Sequence, residues 1–340
     1  MAISDKPTSF DIAALAGVSQ PTVSRALRGD RTVSEKTRLR IEAIAKQLNY
    51  KVDKNASSLR RGQSRTLALL FFEDTLPIDG SINPFFLAML GSILRACSAR
   101  GYDLLTSFQQ LSSDWHVDYE DSRKADGIIL LGYGDYAVHR KREAELLRHG
   151  THFVRWGAVE LDGNGQTIGV DNYRGGLDAG RHLIARGHRR IAFIGDATDH
   201  YPEFRERYRG MADALAEAGL PPVDDLKVDA LSLDADGHDA IHQLIDRGAR
   251  FDAIFAASDL IAIGAMRALT DTGRRIPDDV AVVGFDDIPA AAQAPPPLTT
   301  IAQDYRGAGE RLVEALISRI ADQPIVDPIL PGQLIIRASS

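Results

Sequence analysis

Between residues 9 and 48 apolar side chains recur every three or four positions in three short bursts, whereas beyond residue 66 they gather into runs bounded by amphipathic stretches. The first pattern predicts small packed helices and the second buried strands alternating with helices. Thr8 is placed to cap a first helix, with Asp11 as its capping-box partner; Ile12, Leu15 and Ala16 form the stripe and Gly17 the stop. Ser19 caps a second helix whose Pro21 falls in the first turn and whose Val23, Ala26 and Leu27 face inward. A third helix from about Ser34 presents Ile41, Ile44, Ala45 and Leu48, closing a three-helix core around a helix-turn-helix. Gln20, Thr22, Ser24 and Arg25 then point outward. These are short hydrogen-bonding groups and a guanidinium, suited to base edges and phosphates; an ordinary solvated helix face is the competing reading.

The later runs cover residues 67–72, 102–107, 127–131, 152–156, 167–170, 190–194, 253–257 and 281–285. Their spacing fits two doubly wound lobes with parallel sheets covered on both faces. Ligands of such sheets gather at the carboxyl ends of strands, so Trp156, Asp196, Ser258, Asp259, Asp286 and Asp287 are candidates for a pocket.

Charge sharpens this division. The net charge is −7, yet the first 63 residues carry +6 and the remainder −13, a small basic head on a large acidic body. Polar residues Asp5, Lys6, Ser9 and Asp11 interrupt the first twenty positions, and no apolar stretch approaches the roughly 20 residues of a membrane span, so a soluble cytoplasmic protein is expected. The lone Cys97, within a helix predicted over 86–99, reads as a buried, inert thiol.

The run Phe10-Asp11-Ile12-Ala13-Ala14-Leu15-Ala16-Gly17-Val18-Ser19, followed by Thr22-Val23-Ser24-Arg25-Ala26-Leu27, Val33-Ser34, Thr37-Arg38 and Leu48-Asn49-Tyr50, closely resembles the head of the lactose/galactose/purine repressor (LacI/GalR) family. The resemblance implies that Gln20, Pro21 and Arg25 read bases, Pro21 through apolar contact only. It implies too that Thr8, Ser19, Ser24, Ser34, Thr37 and Tyr50 grip phosphates. In the linker, residues 51–64, Ala56 and Leu59 match a hinge helix too short to be stable alone, which orders on DNA; Leu59 is then a wedge that kinks the duplex from the minor groove. A plain flexible linker is the competing reading.

The resemblance continues through Asn83-Pro84-Phe85-Phe86, Val170-Asp171-Asn172 with Gly175-Gly176, the stretch from His182 to Gly195, Arg207 with Gly210, Val282-Val283-Gly284-Phe285-Asp286-Asp287 and Leu298-Thr299-Thr300-Ile301. It implies a periplasmic-binding-protein-like body in which Arg207 and Asp286 hold an effector, Phe85, Phe86 and Trp156 wall it, and Ser258 and Gln303 add polar contacts. An arginine fork and a carboxylate suit neighbouring hydroxyls, and an aromatic face suits the C–H side of a sugar ring. Arg155 and Glu203 take no role from the resemblance.

The expected fold is a small all-α helix-turn-helix head (1–50), a hinge (51–64) and an α/β body of two doubly wound parallel-sheet lobes (65–340). The expected function is that of a homodimeric repressor of pseudo-palindromic operator DNA controlled by a sugar, without cofactor, metal, membrane or catalytic residues. Activation instead of repression and a purine or nucleoside effector are alternatives. Gly175, Gly176 and Gly180 fall inside a helix and lack the dinucleotide fingerprint, and no nucleophile elbow or phosphate-binding loop occurs, which disfavours an enzyme. His238 and His242, four apart on a helix, read as a solvated face, not a metal site. A solute-binding protein would share the body but carry a signal peptide in place of the head.

Overall fold

The computed structural model describes residues 7–27, 29–50, 63–71, 82–108, 114–132, 134–159, 166–220, 224–324 and 327–340. The chain divides into two compact units, Met1–Ser64 and Arg65–Ser340.

In the first unit, α1 (Ser9–Ala16), α2 (Gln20–Leu27) and α3 (Glu35–Gln47) pack on one another. The capping box forms as expected: Thr8 Oγ1 accepts from the Asp11 amide at 3.4 Å, and the Asp11 carboxylate accepts from the Thr8 amide at 2.7 Å. The Thr8 hydroxyl, which donates to the Asp11 carboxylate at 2.7 Å, and after it the Thr8 amide hold the Asp11 carboxyl below its usual range. Gly17 ends α1 in the left-handed region, at φ 64°. Ile12, Ala13, Ala16, Val23, Ala26, Ile41 and Ala45 form the core. Leu15 departs from the expected stripe and is 58% exposed. At about 100° per residue the face centred on Ile12, Ala13 and Ala16 turns position 15 out toward solvent. Ser19 stands just ahead of α2, but its hydroxyl pairs with Thr22 Oγ1 at 2.9 Å. Ser34 caps α3, accepting from the Thr37 amide at 3.3 Å.

The second unit holds two sheets. The first contains β1 (Thr66–Phe71), β2 (Asp103–Phe108), β3 (Ile128–Leu131), β4 (Phe153–Trp156), β5 (Thr167–Val170) and β11 (Ile329–Leu330), in the order β11-β5-β4-β3-β1-β2. Around it lie α4 (Pro84–Ala99), α5 (Tyr136–Arg148) and α10 (Tyr305–Ile320). The second contains β6 (Ile191–Ile194), β7 (Lys227–Val228), β8 (Ala253–Ala256), β9 (Ala281–Asp286), β10 (Thr299–Gln303) and β12 (Gly332–Ile335), in the order β12-β10-β9-β8-β6-β7. Its helices are α6 (Asn172–Ala185), α7 (Pro202–Glu217), α8 (Asp234–Asp246) and α9 (Asp259–Asp271). The pairings are parallel as expected, with one difference: β12 runs antiparallel to β10.

A second difference concerns β2. The run was expected to be covered on both faces, but β2 borders only β1, and Leu105 and Phe108 stay 39% and 51% exposed. The chain passes between lobes after β5, after β10 and after β11, so Asn172 and Gln303 stand at crossovers. Cys97 is buried in the first lobe's core, and burial pushes its thiol up to about 11. Among the described residues no helix is long and apolar enough to cross a membrane.

One close approach positions the site. A Cβ on Gly176 of α6 would land on the backbone of Arg207, and one on Gly210 of α7 would land on the carbonyl of Tyr173. Only glycine lets these helices press together this tightly, and that fixes where the Arg207 backbone lies.

Candidate functional site

On the head, Arg25 and Pro21 are exposed on α2, while Thr22 and Ser24 are half-buried beside them. Gln20 Nε2 donates to Ser9 Oγ at 3.1 Å, which fixes its amide near the start of α1. Thr8 and Ser34 are exposed at the starts of α1 and α3, each capping its helix, with the Asp11 carboxylate on the Thr8 amide at the first. Ser34 Oγ and Thr37 Oγ1 lie 2.8 Å apart, and Tyr50, half-buried, packs against the head's core. Ala56 and Leu59 lie outside the described residues.

In the body, Arg207 on α7 is 1% exposed, an extreme burial for a guanidinium. Its Nε donates to Asn172 Oδ1 at 2.8 Å and its Nη1 to the Ala257 carbonyl. The guanidinium lies over the Phe285 ring, 3.6 Å from the centroid, and Nη1 stands 3.9 Å from the Asp286 carboxylate. Gln303 Nε2 donates to the same carboxylate at 2.6 Å, leaving the buried Gln303 Oε1 without a hydrogen-bond partner among the described residues. Arg207, Asp286 and Gln303 therefore form one buried polar group.

Asp286 and Asp287 adopt φ values of 117° and 55°, which non-glycine residues seldom hold. Such strain costs about 1–3 kcal/mol per residue and persists where surroundings enforce it. Here Arg337 Nη2 holds Asp287 Oδ1 at 2.6 Å and Gln303 holds Asp286. Beneath them Asp259 accepts from Thr300 Oγ1 at 2.6 Å and from the Ile288 amide at 2.9 Å. Burial, reinforced by the neighbouring Asp286 carboxylate, pushes the Asp259 carboxyl well above its ordinary value.

The first lobe contributes rings. Phe85 packs on Trp156 with centroids 6.1 Å apart and edge-on to Phe86 at 5.4 Å. Asn83 caps α4 by accepting from the Phe85 amide at 2.9 Å, and its Nδ2 reaches across the cleft to Ser232 Oγ at 3.2 Å. Ser232 in turn donates to Ser258 Oγ at 2.8 Å. Two further links join the lobes: the Ala158 amide donates to Glu203 Oε1 at 2.9 Å, and the Tyr136 amide to the His200 carbonyl at 2.9 Å. His200 Nδ1 also meets Asp135 Oδ1 at 2.8 Å, and that bond raises the imidazole pKa above its usual value.

Asn83, Asn172, Ser232 and Phe285 contribute without a role assigned from sequence; all but Ser232 stand inside matched motifs, but their contacts are tertiary. Asp196, a strand-end candidate, lies half-exposed and takes up the Thr198 amide at 3.0 Å. His238 and His242 have ring centroids 4.8 Å apart, and no metal-holding cluster occurs among the described residues.

Comparison with known proteins accounts for both halves. Residues 10–53 match bacterial regulatory proteins of the lacI family and residues 181–340 match a periplasmic binding protein-like domain. The chain is 34% identical over 316 residues to the ribose operon repressor of Escherichia coli (strain K12), covering 92% of this chain and 93% of that one. A solved transcriptional regulator CelR–cellobiose complex is 31% identical with a TM-score of 0.73, covering 98% of this chain and 100% of that one. The lac repressor dimer bound to operator and the anti-inducer ONPF is 25% identical with a TM-score of 0.83, with 98% of each chain covered. A helix-turn-helix head joined to a two-lobed α/β body, matched over nearly its whole length by these regulators, places the chain in the LacI family of bacterial transcriptional regulators.

Proposed function

We propose that the chain is a cytoplasmic, homodimeric repressor whose affinity for a pseudo-palindromic operator is set by a sugar bound between the lobes of its body. The observation that carries this reading is the buried Arg207–Asp286–Gln303 group in the second lobe, with the Phe85–Trp156 ring pair in the first, in the same chain as a helix-turn-helix. A charged fork and a carboxylate match vicinal hydroxyls, and rings match the apolar face of a pyranose or furanose. The relatives support it: one is named for a ribose operon, and another is solved with cellobiose. The cleft then binds and performs no chemistry.

In this reading Gln20, Pro21 and Arg25 meet base edges and Thr8, Ser19, Ser24, Ser34, Thr37 and Tyr50 meet phosphates, so operator affinity falls steeply with salt. Ala56 and Leu59 belong to the hinge, with Leu59 the minor-groove wedge; Leu59→Ala should weaken operator binding far more than nonspecific binding. Phe85, Phe86, Trp156, Arg207, Ser258, Asp286 and Gln303 form the effector site. Support for a dimer comes from an apolar patch on the first lobe: Leu87 and Leu94 on α4 are 52% and 47% exposed beside the bared edge of β2. A monomer in sedimentation at micromolar concentration with operator present would remove that part.

The test is titration of the protein onto its own upstream intergenic DNA, at fixed salt, against mono- and disaccharides. Release by one sugar is the expected result. Tight binding that only nucleobases relieve would replace the sugar by a purine.

A further inference from the structure

A strained residue stands where the chain enters the body. Arg65 is the first residue of the second unit and leads directly into β1, and its backbone lies in the left-handed region at φ 55°. A non-glycine residue adopts that region at a cost, so its surroundings must hold it there. They do so from three sides. The Arg65 amide donates to Asp126 Oδ2 at 2.8 Å, its carbonyl accepts from the Asp103 amide at 2.9 Å, and its guanidinium lies 5.1 Å from the centroid of the Tyr102 ring. Asp126 completes the bracket by donating its own amide to the Thr66 carbonyl at 2.8 Å. Arg65 is nevertheless exposed, so core packing does not account for its being held.

The second lobe supplies an internal control. Asp252 stands just before β8, as Asp126 stands just before β3; it accepts from the Arg189 amide at 3.0 Å and donates its own amide to the Arg190 carbonyl at 3.1 Å. By strand order and register Arg189 is therefore the counterpart of Arg65. The carboxylate bracket is thus common to both lobes, where it ties the starts of neighbouring strands together. Arg189, however, is not left-handed, and its guanidinium donates to the carbonyls of Ile184 and His188 at 3.0 Å each. A need of the scaffold would appear in both lobes. The left-handed backbone and the ring contact appear only in the lobe that continues, through residues 51–64, into the helix-turn-helix.

We infer that Arg65 is a positioning residue for operator recognition: pinned by Asp126, Asp103 and Tyr102, it stiffens the joint between the first lobe and the hinge, so that a movement of the lobe reaches the hinge instead of being lost in a loose connection. The inference rests on the repressor reading above and adds the element that couples its two units. A loose joint must be ordered each time operator binds, whereas a pinned one has lost that freedom beforehand.

Fluorescence anisotropy of the full-length protein on its own upstream intergenic DNA and on a random duplex of equal length, at fixed salt, tests it. Asp126→Ala removes the bracket and also a negative charge, and the charge alone would strengthen binding to both duplexes. The expected result is the reverse on the upstream DNA: the ratio of specific to nonspecific affinity falls by about tenfold, which is what ordering one residue's backbone is worth. Asp126→Asn keeps an oxygen for the Arg65 amide and should restore most of that ratio. Asp252→Ala removes the matching bracket of the second lobe and should leave the ratio unchanged, whatever it costs in urea unfolding. Arg65→Gly takes φ 55° without strain and frees the joint, so it should lower the ratio while the urea midpoint holds; it decides the matter if Asp126→Ala fails to fold. An undiminished ratio in Asp126→Ala or, where that variant does not fold, in Arg65→Gly overturns the positioning role and leaves the repressor reading standing, as does an equal fall in Asp252→Ala. A wild type that does not prefer its upstream DNA overturns both.

Discussion

The two lobes share one strand order, so each position in one has a counterpart in the other, yet they bring opposite chemistry to the cleft. β4 ends in Trp156 where its counterpart β9 ends in Asp286. The helix after the first strand begins with proline in both lobes; in α4 it presents Phe85 and Phe86, and in α7 it presents Glu203 and Arg207. The scaffold supplies a slot at the carboxyl ends of its strands, and side chains alone decide whether that slot holds by rings or by charge. In the proposed sensor the second lobe grips and the first covers, and each should fail differently when damaged.

The sharpest break should come at Arg207. Removing it leaves Asn172 Oδ1, the Ala257 carbonyl and Asp286 facing an empty buried space, so Arg207→Ala should cost about 3–5 kcal/mol in urea unfolding as well as effector response. A cost below about 1 kcal/mol would mean that the second lobe is not built around this cation. Trp156→Leu in the covering lobe should cost less, about 1–2 kcal/mol, and should weaken a series of sugars by a common factor. Asp286→Asn should instead reorder that series, because it changes what the grip accepts. If both variants merely scale the series, the division of labour between lobes is wrong.

Smaller effects should follow from the bonds that bypass any ligand. Ser232→Ala removes both the Asn83 link and the donor to Ser258, about 1 kcal/mol, and should raise the radius of gyration of the ligand-free protein in small-angle scattering. The smallest effect concerns pH. Asp135 raises the pKa of exposed His200 above 6.5, so whatever this pair adds to closure is complete below 6.5 and lost as pH rises through the raised value. Nuclear magnetic resonance titration should find His200 above 6.5 in the wild type and back near 6.5 in Asp135→Asn, which keeps a capping oxygen for the Ala137 amide.

Local physics was the legible part of this chain. Thr8, Gly17 and Ser34 punctuate the head through bonds to residues three or four away, so pattern alone placed its helices. Leu15 was misplaced because an eight-residue helix offers too few positions to centre a stripe. Strands with four buried residues were visible, whereas β7 and β11 have two residues each and β10 is Thr-Thr-Ile-Ala-Gln, with little apolar signature. In the cleft, Arg207 is one of three alternate arginines on α7, and only its resemblance to a family motif singled it out. Ser232 was invisible, since its bond to Asn83 spans 149 residues and no local pattern encodes such a meeting.

The glycine contact between α6 and α7 bears on how such a sensor could acquire a new ligand. Because Gly176 and Gly210 set the Arg207 backbone, any side chain at either would displace the grip for every ligand at once. Trp156 and Glu203 lie outside that contact, whereas a Cβ on Gly157 would already press on Glu203 Oε1 at 2.8 Å. Selection for a changed effector should therefore collect substitutions at 156 and 203 and leave 176 and 210 untouched, a partition that a library randomised at these four positions would display directly.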